Sequence, residues 1–307
     1  MSLLVDGVLA PLVQYEFLRT ALGVAVLVGA SSAALSCFLV VRRAAMLGDA
    51  VAHGVLPGVA VGWVLAGHLG VFWGAVVVGI VVAVGISALE RTSRLHLDTA
   101  IGVMFSFSFA LGLLLVSVLR PTGIHLNHVL LGNVLAASDA DLQLAAATSV
   151  IVLIGVLALF PILRAWSFAP ETATVMGLPT RALHYAFTAL LSLAIVASLQ
   201  TVGLVLAVGM LILPGAAAYL CTNRMSQMIA IAMVIGVGSA AVGMLMSYHL
   251  NAASGPAIVL AASAAFMLCY LFAPQRGVLA RRRHARGSGS RVRTRAPDPI
   301  EPEHAGV

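Results

Sequence analysis

From residue 17 to residue 273 the chain alternates long apolar runs with short polar breaks. The runs fall at roughly 17–41, 49–66, 70–89, 98–119, 142–164, 183–199, 201–220, 227–247 and 255–273. Each comes close to the about twenty residues that an α-helix needs to cross the hydrocarbon core of a bilayer. The pattern predicts an all-α, polytopic membrane protein of eight or nine spans, nine by direct count. Ten stays open, because neighbours such as the pair meeting at Gln200-Thr201 are weakly separated. Three regions follow: an extracytoplasmic N-terminal segment at 1–16, a transmembrane domain at 17–275 and a tail at 276–307.

Polar side chains are rare inside the runs, and one stretch concentrates them. In Met46-Leu-Gly-Asp-Ala-Val-Ala-His-Gly-Val-Leu-Pro-Gly-Val-Ala-Val-Gly62 the strongly polar residues are Asp49 and His53. Four residues apart, they share one face of a helix and can reach a single ion. An ionisable group in hydrocarbon is costly and faces a polar cavity, a partner or an ion. The competing reading makes Asp49 a cap for the helix that follows and has His53 bond a neighbouring carbonyl. Gly54, Gly58 and Gly62 form a second row at the same spacing, a small-residue ridge that lets another helix approach closely.

Hydrophobic residues make up 61% of the 307 and charged residues 9%, which excludes an ordinary soluble domain. All seventeen basic residues are arginines. With no lysine there is no phosphate-binding P-loop, so the chain is not itself an ATPase of that type. Eight arginines lie between Arg276 and Arg295, so the basic character of the chain describes the tail. That segment is expected to be disordered, cytoplasmic and able to touch anionic lipid. Nucleic-acid binding by an arginine run beside a bilayer is set aside. Cys37, Cys221 and Cys269 are far apart, lack a zinc-binding pattern and read as small core residues. The N-terminus carries Asp6 and Glu16 and no basic n-region, so the first span is expected to serve as an uncleaved insertion signal.

Arginines also orient the spans, because cytoplasmic loops accumulate them. One set of connections and their edges holds Arg42, Arg43, Arg91, Arg94, Arg164, Arg181 and Arg224, and the other holds Arg19 and Arg120. The bias places the N-terminus outside and the tail inside. On the outer side, His125 and His128, then Asp139 and Asp141, then His249 are either a polar vestibule for a cation or solvated loop positions. On the inner side, Phe168-Ala-Pro-Glu-Thr-Ala-Thr-Val-Met-Gly-Leu-Pro179 reads as a short helix. Pro170 starts it, Glu171 complements its N-terminal dipole, and Gly177 with Pro179 ends it. In Leu199–Ala218, Pro214 and Gly215 sit deep in a span and are expected to kink or break it.

Three stretches, Arg43–Ala60, Pro170–Pro179 and Val202–Ala218, resemble the permease subunits of ABC importers for manganese, zinc or iron(II). The most specific piece is the Gly-Asp-x-x-x-His-x-x-x-Pro-Gly pattern, and the similarity runs from about residue 15 to 275. The resemblance implies a permease homodimer in a bacterial cytoplasmic membrane. Its partners would be cytoplasmic ATPase subunits and an extracytoplasmic metal-binding lipoprotein. It further implies that Asp49 and His53 contact the transported metal, that the segment from Glu171 to Gly177 docks on the ATPase, and that no cofactor is permanently held. One carboxylate and one imidazole suit all three metals, and two ligands bind loosely enough to release. The long tail departs from the pattern. Two other classes compete. A proton-coupled secondary metal transporter could use the same pair. An intramembrane aspartyl protease needs a second carboxylate at the site, and position 46 is Met where its Gly-x-Gly-Asp motif has Gly.

Overall fold

The computed structural model describes residues 15–93, 95–119, 134 and 137–273. The N-terminal segment, the connection with His125 and His128, and the arginine tail lie outside the described residues. Ten helices follow one another: α1 (Glu16–Val41), α2 (Ala45–Gly54), α3 (Leu56–Thr92), α4 (Leu97–Leu119), α5 (Asp139–Phe168), α6 (Pro170–Val175), α7 (Thr180–Val202), α8 (Leu204–Cys221), α9 (Met225–Leu250) and α10 (Ser254–Phe272). Among the described residues no strand occurs, and nine helical segments are long and apolar enough to cross a membrane. The nine match the predicted runs one for one, with α2 and the first part of α3 forming the second span.

A helix that is apolar all round belongs in an interior. α1 fits that rule, since residues 28–39 are buried without a break. It packs against α5, α8 and α9 and forms the axis of the bundle. Two hydrophobic clusters meet along it. One joins the end of α1 to α2, α3 and α7 around Phe38, Ile86 and Leu191, and the other joins its start to α8, α9 and α10 around Leu18, Met210 and Met244.

The glycine ridge works as a helix contact within one hairpin. At Ala66-Gly67 the backbone leaves the helical region, with Gly67 at φ +58°, and α3 folds back on itself. A Cβ on Gly58 would stand 2.2 Å from the carbonyl oxygen of Gly74, and one on Gly62 would stand 2.1 Å from that of Gly70. Only glycine permits so close a crossing. Gly54 instead faces Val82 and Ser108.

The turn from α1 to α2 is tighter than the sequence suggests. Arg43 occupies the left-handed region at φ +56°, where the Ala44 N–H reaches back to the Leu39 carbonyl at 2.9 Å. A non-glycine residue there costs roughly 1–2 kcal/mol.

The expected break at Pro214-Gly215 is absent, and α8 runs through it. Its neighbour supplies the reason. The Ser36 hydroxyl of α1 accepts a bond from the Gly215 N–H at 2.8 Å and lies 3.4 Å from the Ile212 carbonyl it donates to. Backbone groups disturbed by the proline are thereby partnered inside the protein, as a membrane interior requires. The real break falls earlier, at Gly203, with φ +88° between α7 and α8.

Candidate metal-transfer site

α2 is a ten-residue helix that starts at the arginine turn and stops where Pro57 enters. Pro57 has no N–H to return to the His53 carbonyl, so the chain is reset at Val55 before α3 continues. Asp49 sits in the middle of α2, at neither of its ends, and caps nothing; the cap reading fails. The bond from His53 to a neighbouring carbonyl is also absent. Its Nε2 faces Asp49 Oδ1 at 3.5 Å, and its Nδ1 is buried without a hydrogen-bond partner.

The 3.5 Å contact is too long for a strong hydrogen bond and wide enough for both groups to converge on one ion. The Asp49 side chain is 48% exposed and that of His53 23%, so the carboxylate opens away from the fold while the imidazole is held in it. Among the described residues no third His, Cys, Asp or Glu joins them, and one chain supplies two side-chain donors.

What holds the imidazole came from α4 and was missed in the sequence. Phe105 and Phe109 stand edge-on to the His53 ring at 5.6 and 5.7 Å between centroids. Between them Ser108 donates to the Gly54 carbonyl at 2.7 Å. These three residues lie at i, i+3 and i+4, one face of a helix, so α4 grips α2 next to His53. Two phenylalanines and a serine at that spacing were the available signal.

Of the outer residues, His249 is exposed in the last turn of α9, with its ring 5.5 Å from that of Tyr248. His125 and His128 lie outside the described residues. Asp141 belongs to a capping box, accepting from the Ser138 N–H at 2.9 Å at the start of α5, which gives it a local structural task.

The 168–179 connection forms the predicted short helix. Pro170 opens α6, Glu171 is in its first turn, and Gly177 at φ +77° lets the Leu178 N–H close on the Ala173 carbonyl at 3.1 Å. Ala173 is buried against the bundle, while Val175 is 89% and Met176 74% exposed. The short helix is anchored on one side and presents apolar side chains on the other.

Nine candidate spans among the described residues around a buried axis, with a carboxylate–imidazole pair on the helix that opens the second of them, define a polytopic helical membrane protein. The chain belongs to the ABC 3 transport family, whose model matches residues 14–273. It is 43% identical over 270 residues to the manganese transport system membrane protein MntC of Halalkalibacterium halodurans, covering 88% of this chain and 92% of that one. It is 38% identical over 260 residues to the chelated iron transport system membrane protein YfeD of Yersinia pestis, covering 84% and 86%. Its fold is similar to a chain of PsaBC from Streptococcus pneumoniae, solved in complex with Fab, with a TM-score of 0.80, 35% identity and coverage of 89% and 98%.

Proposed function

We propose that this chain is the membrane-spanning subunit of an ATP-driven bacterial importer whose cargo is a divalent transition metal, with manganese first and iron(II) or zinc compatible with the same donors. The observation that carries the reading is the Asp49–His53 pair, aligned on one helix face in a chain this similar to manganese transport membrane proteins. A carboxylate and a neutral imidazole bind such ions, and two donors hold them weakly enough to let go. A second copy of the chain would bring the donors to four. The permease therefore acts as a homodimer, with an extracytoplasmic metal-binding lipoprotein on one side and ATPase subunits on the other.

The tail and α6 face the cytoplasm, following the arginine bias. A single cysteine placed at position 290, in a cysteine-free background, is expected to resist impermeant thiol reagents in intact cells. Labelling from outside would invert the topology.

ATP is hydrolysed by the separate subunit, which grips α6 and the Gly177 turn. Gly177→Val forces a β-branched residue into the left-handed region, at roughly 1–2 kcal/mol, in a segment with open space around it. Folding should survive, and manganese uptake per ATP should fall about tenfold, as a penalty of that size implies. Wild-type uptake by Gly177→Val at matched membrane level would count against docking here.

A further inference from the structure

At the end of the bundle that carries α6, one cluster joins four helices. The guanidinium of Arg42, the residue that follows α1, lies over the Trp166 ring of α5, 3.5 Å from its centroid. Trp166 is 4% exposed and also meets Phe187 and His184 of α7 at 5.9 and 5.8 Å. Phe187 continues to Phe38 of α1 at 6.0 Å, and His184 Nε2 is hydrogen-bonded to Ser87 of α3. The cluster lies among residues whose positions in the chain are telling. Trp166 stands one turn before Pro170, where α6 begins, and Arg42 opens the three-residue turn that leads into α2 with Asp49 and His53.

We infer that the Arg42–Trp166 stack is the joint through which movement of the α6 segment reaches the turn before α2, and so the Asp49–His53 pair. The inference rests on the proposed roles of α6 and of that pair. The physical argument concerns what each end of the joint can do. α5 runs without a break from Trp166 to Phe168 and passes through a single residue into α6, so a push on α6 displaces the indole. A cation held over the face of a buried indole follows it, because sliding off the ring gives up the attraction of the ring face in a poorly solvated place. Arg42 is followed directly by the left-handed Arg43, a backbone position with another, more populated region available to it. A shift of Arg42 would therefore be taken up at Arg43, the strained residue of the turn. Neither Arg42 nor Trp166 touches the metal; both are positioning residues.

The test uses the full complex of permease, ATPase and binding protein in proteoliposomes, with manganese uptake and ATP hydrolysis measured on the same samples. Trp166→Leu and Arg42→Gln are each expected to keep ATP hydrolysis within about twofold of wild type and to lose at least about tenfold in manganese moved per ATP, the loss of one desolvated cation–π contact. The double variant should be no worse than either single one, because both remove the same contact. Trp166→Phe, which keeps an aromatic face, should recover most of the coupling, a rescue that a space-filling role would not distinguish from Trp166→Leu. Wild-type manganese per ATP in Arg42→Gln, or additive losses in the double variant, would overturn the joint. Should Trp166→Leu fail to fold, Arg42→Gln, which lies outside the helices, still decides. Gly177→Val keeps the two levels apart: normal coupling there defeats the docking role of α6, whereas normal coupling in Arg42→Gln with impaired Gly177→Val defeats the joint alone.

Discussion

Manganese uptake is expected to stop in Asp49→Asn and in His53→Ala, with the amount of permease in the membrane unchanged for the first and modestly reduced for the second. Asn has the shape of Asp and most of its hydrogen-bonding capacity, and a capping residue would tolerate the exchange. Asp49 caps nothing, however, and makes no short hydrogen bond whose loss would unfold α2. What the exchange removes is the charge. Without it the site keeps one of its two donors and no negative charge to hold a divalent cation. His53→Ala removes the nitrogen donor and also leaves Phe105 and Phe109 facing a gap, so it carries a packing cost that Asp49→Asn does not. Uptake measured at matched membrane level checks the pair, and a wild-type rate in Asp49→Asn would remove the charge from the mechanism.

The second large effect is structural. Gly58→Ala should deplete the folded protein severely, because the added methyl would overlap the Gly74 carbonyl and also stand 2.9 Å from Val78 Cβ. Neither neighbour is the end of a flexible side chain, so the two halves of α3 must move apart. Overpacking of this kind costs about 1–3 kcal/mol when the core can adjust, and a backbone carbonyl cannot rotate away. Parting the halves would also shift Gly54 and the end of α2, so surviving protein should transport poorly. Gly238→Ala is the matched control: a Cβ there meets nothing, and alanine is favoured over glycine in a helix by up to about 1 kcal/mol. Thermal unfolding in detergent should place Gly58→Ala well below wild type and Gly238→Ala at or slightly above it. Equal melting of the two variants would contradict the close crossing of Gly58 on Gly74.

These contrasts show which parts of the structure were legible in the chain. The spans were, because hydrocarbon demands about twenty apolar residues each and allows few exceptions. The α6 turn was too, since Pro170, Glu171 and Gly177 set its start, its charge and its end within ten residues. The glycine ridge announced a close contact, but the partner, Gly70 and Gly74 of the same hairpin, emerged only with the fold. Pro214 misled for the same reason: its effect on α8 depends on Ser36, which is remote in sequence and adjacent in space. Asp49 and His53 were legible as a pair through their spacing alone. The α4 residues that orient His53 and the Arg42–Trp166 stack were not, because each is a contact between helices whose packing no local pattern specifies.

The most direct measurement of the central claim is manganese accumulation in proteoliposomes containing the permease, its ATPase and the binding protein, with magnesium-ATP on the ATPase side. Accumulation should require ATP, persist when the proton gradient is collapsed, and vanish in Asp49→Asn. Accumulation that needs no ATP and follows an imposed proton gradient would make this chain a secondary carrier and contradict the account.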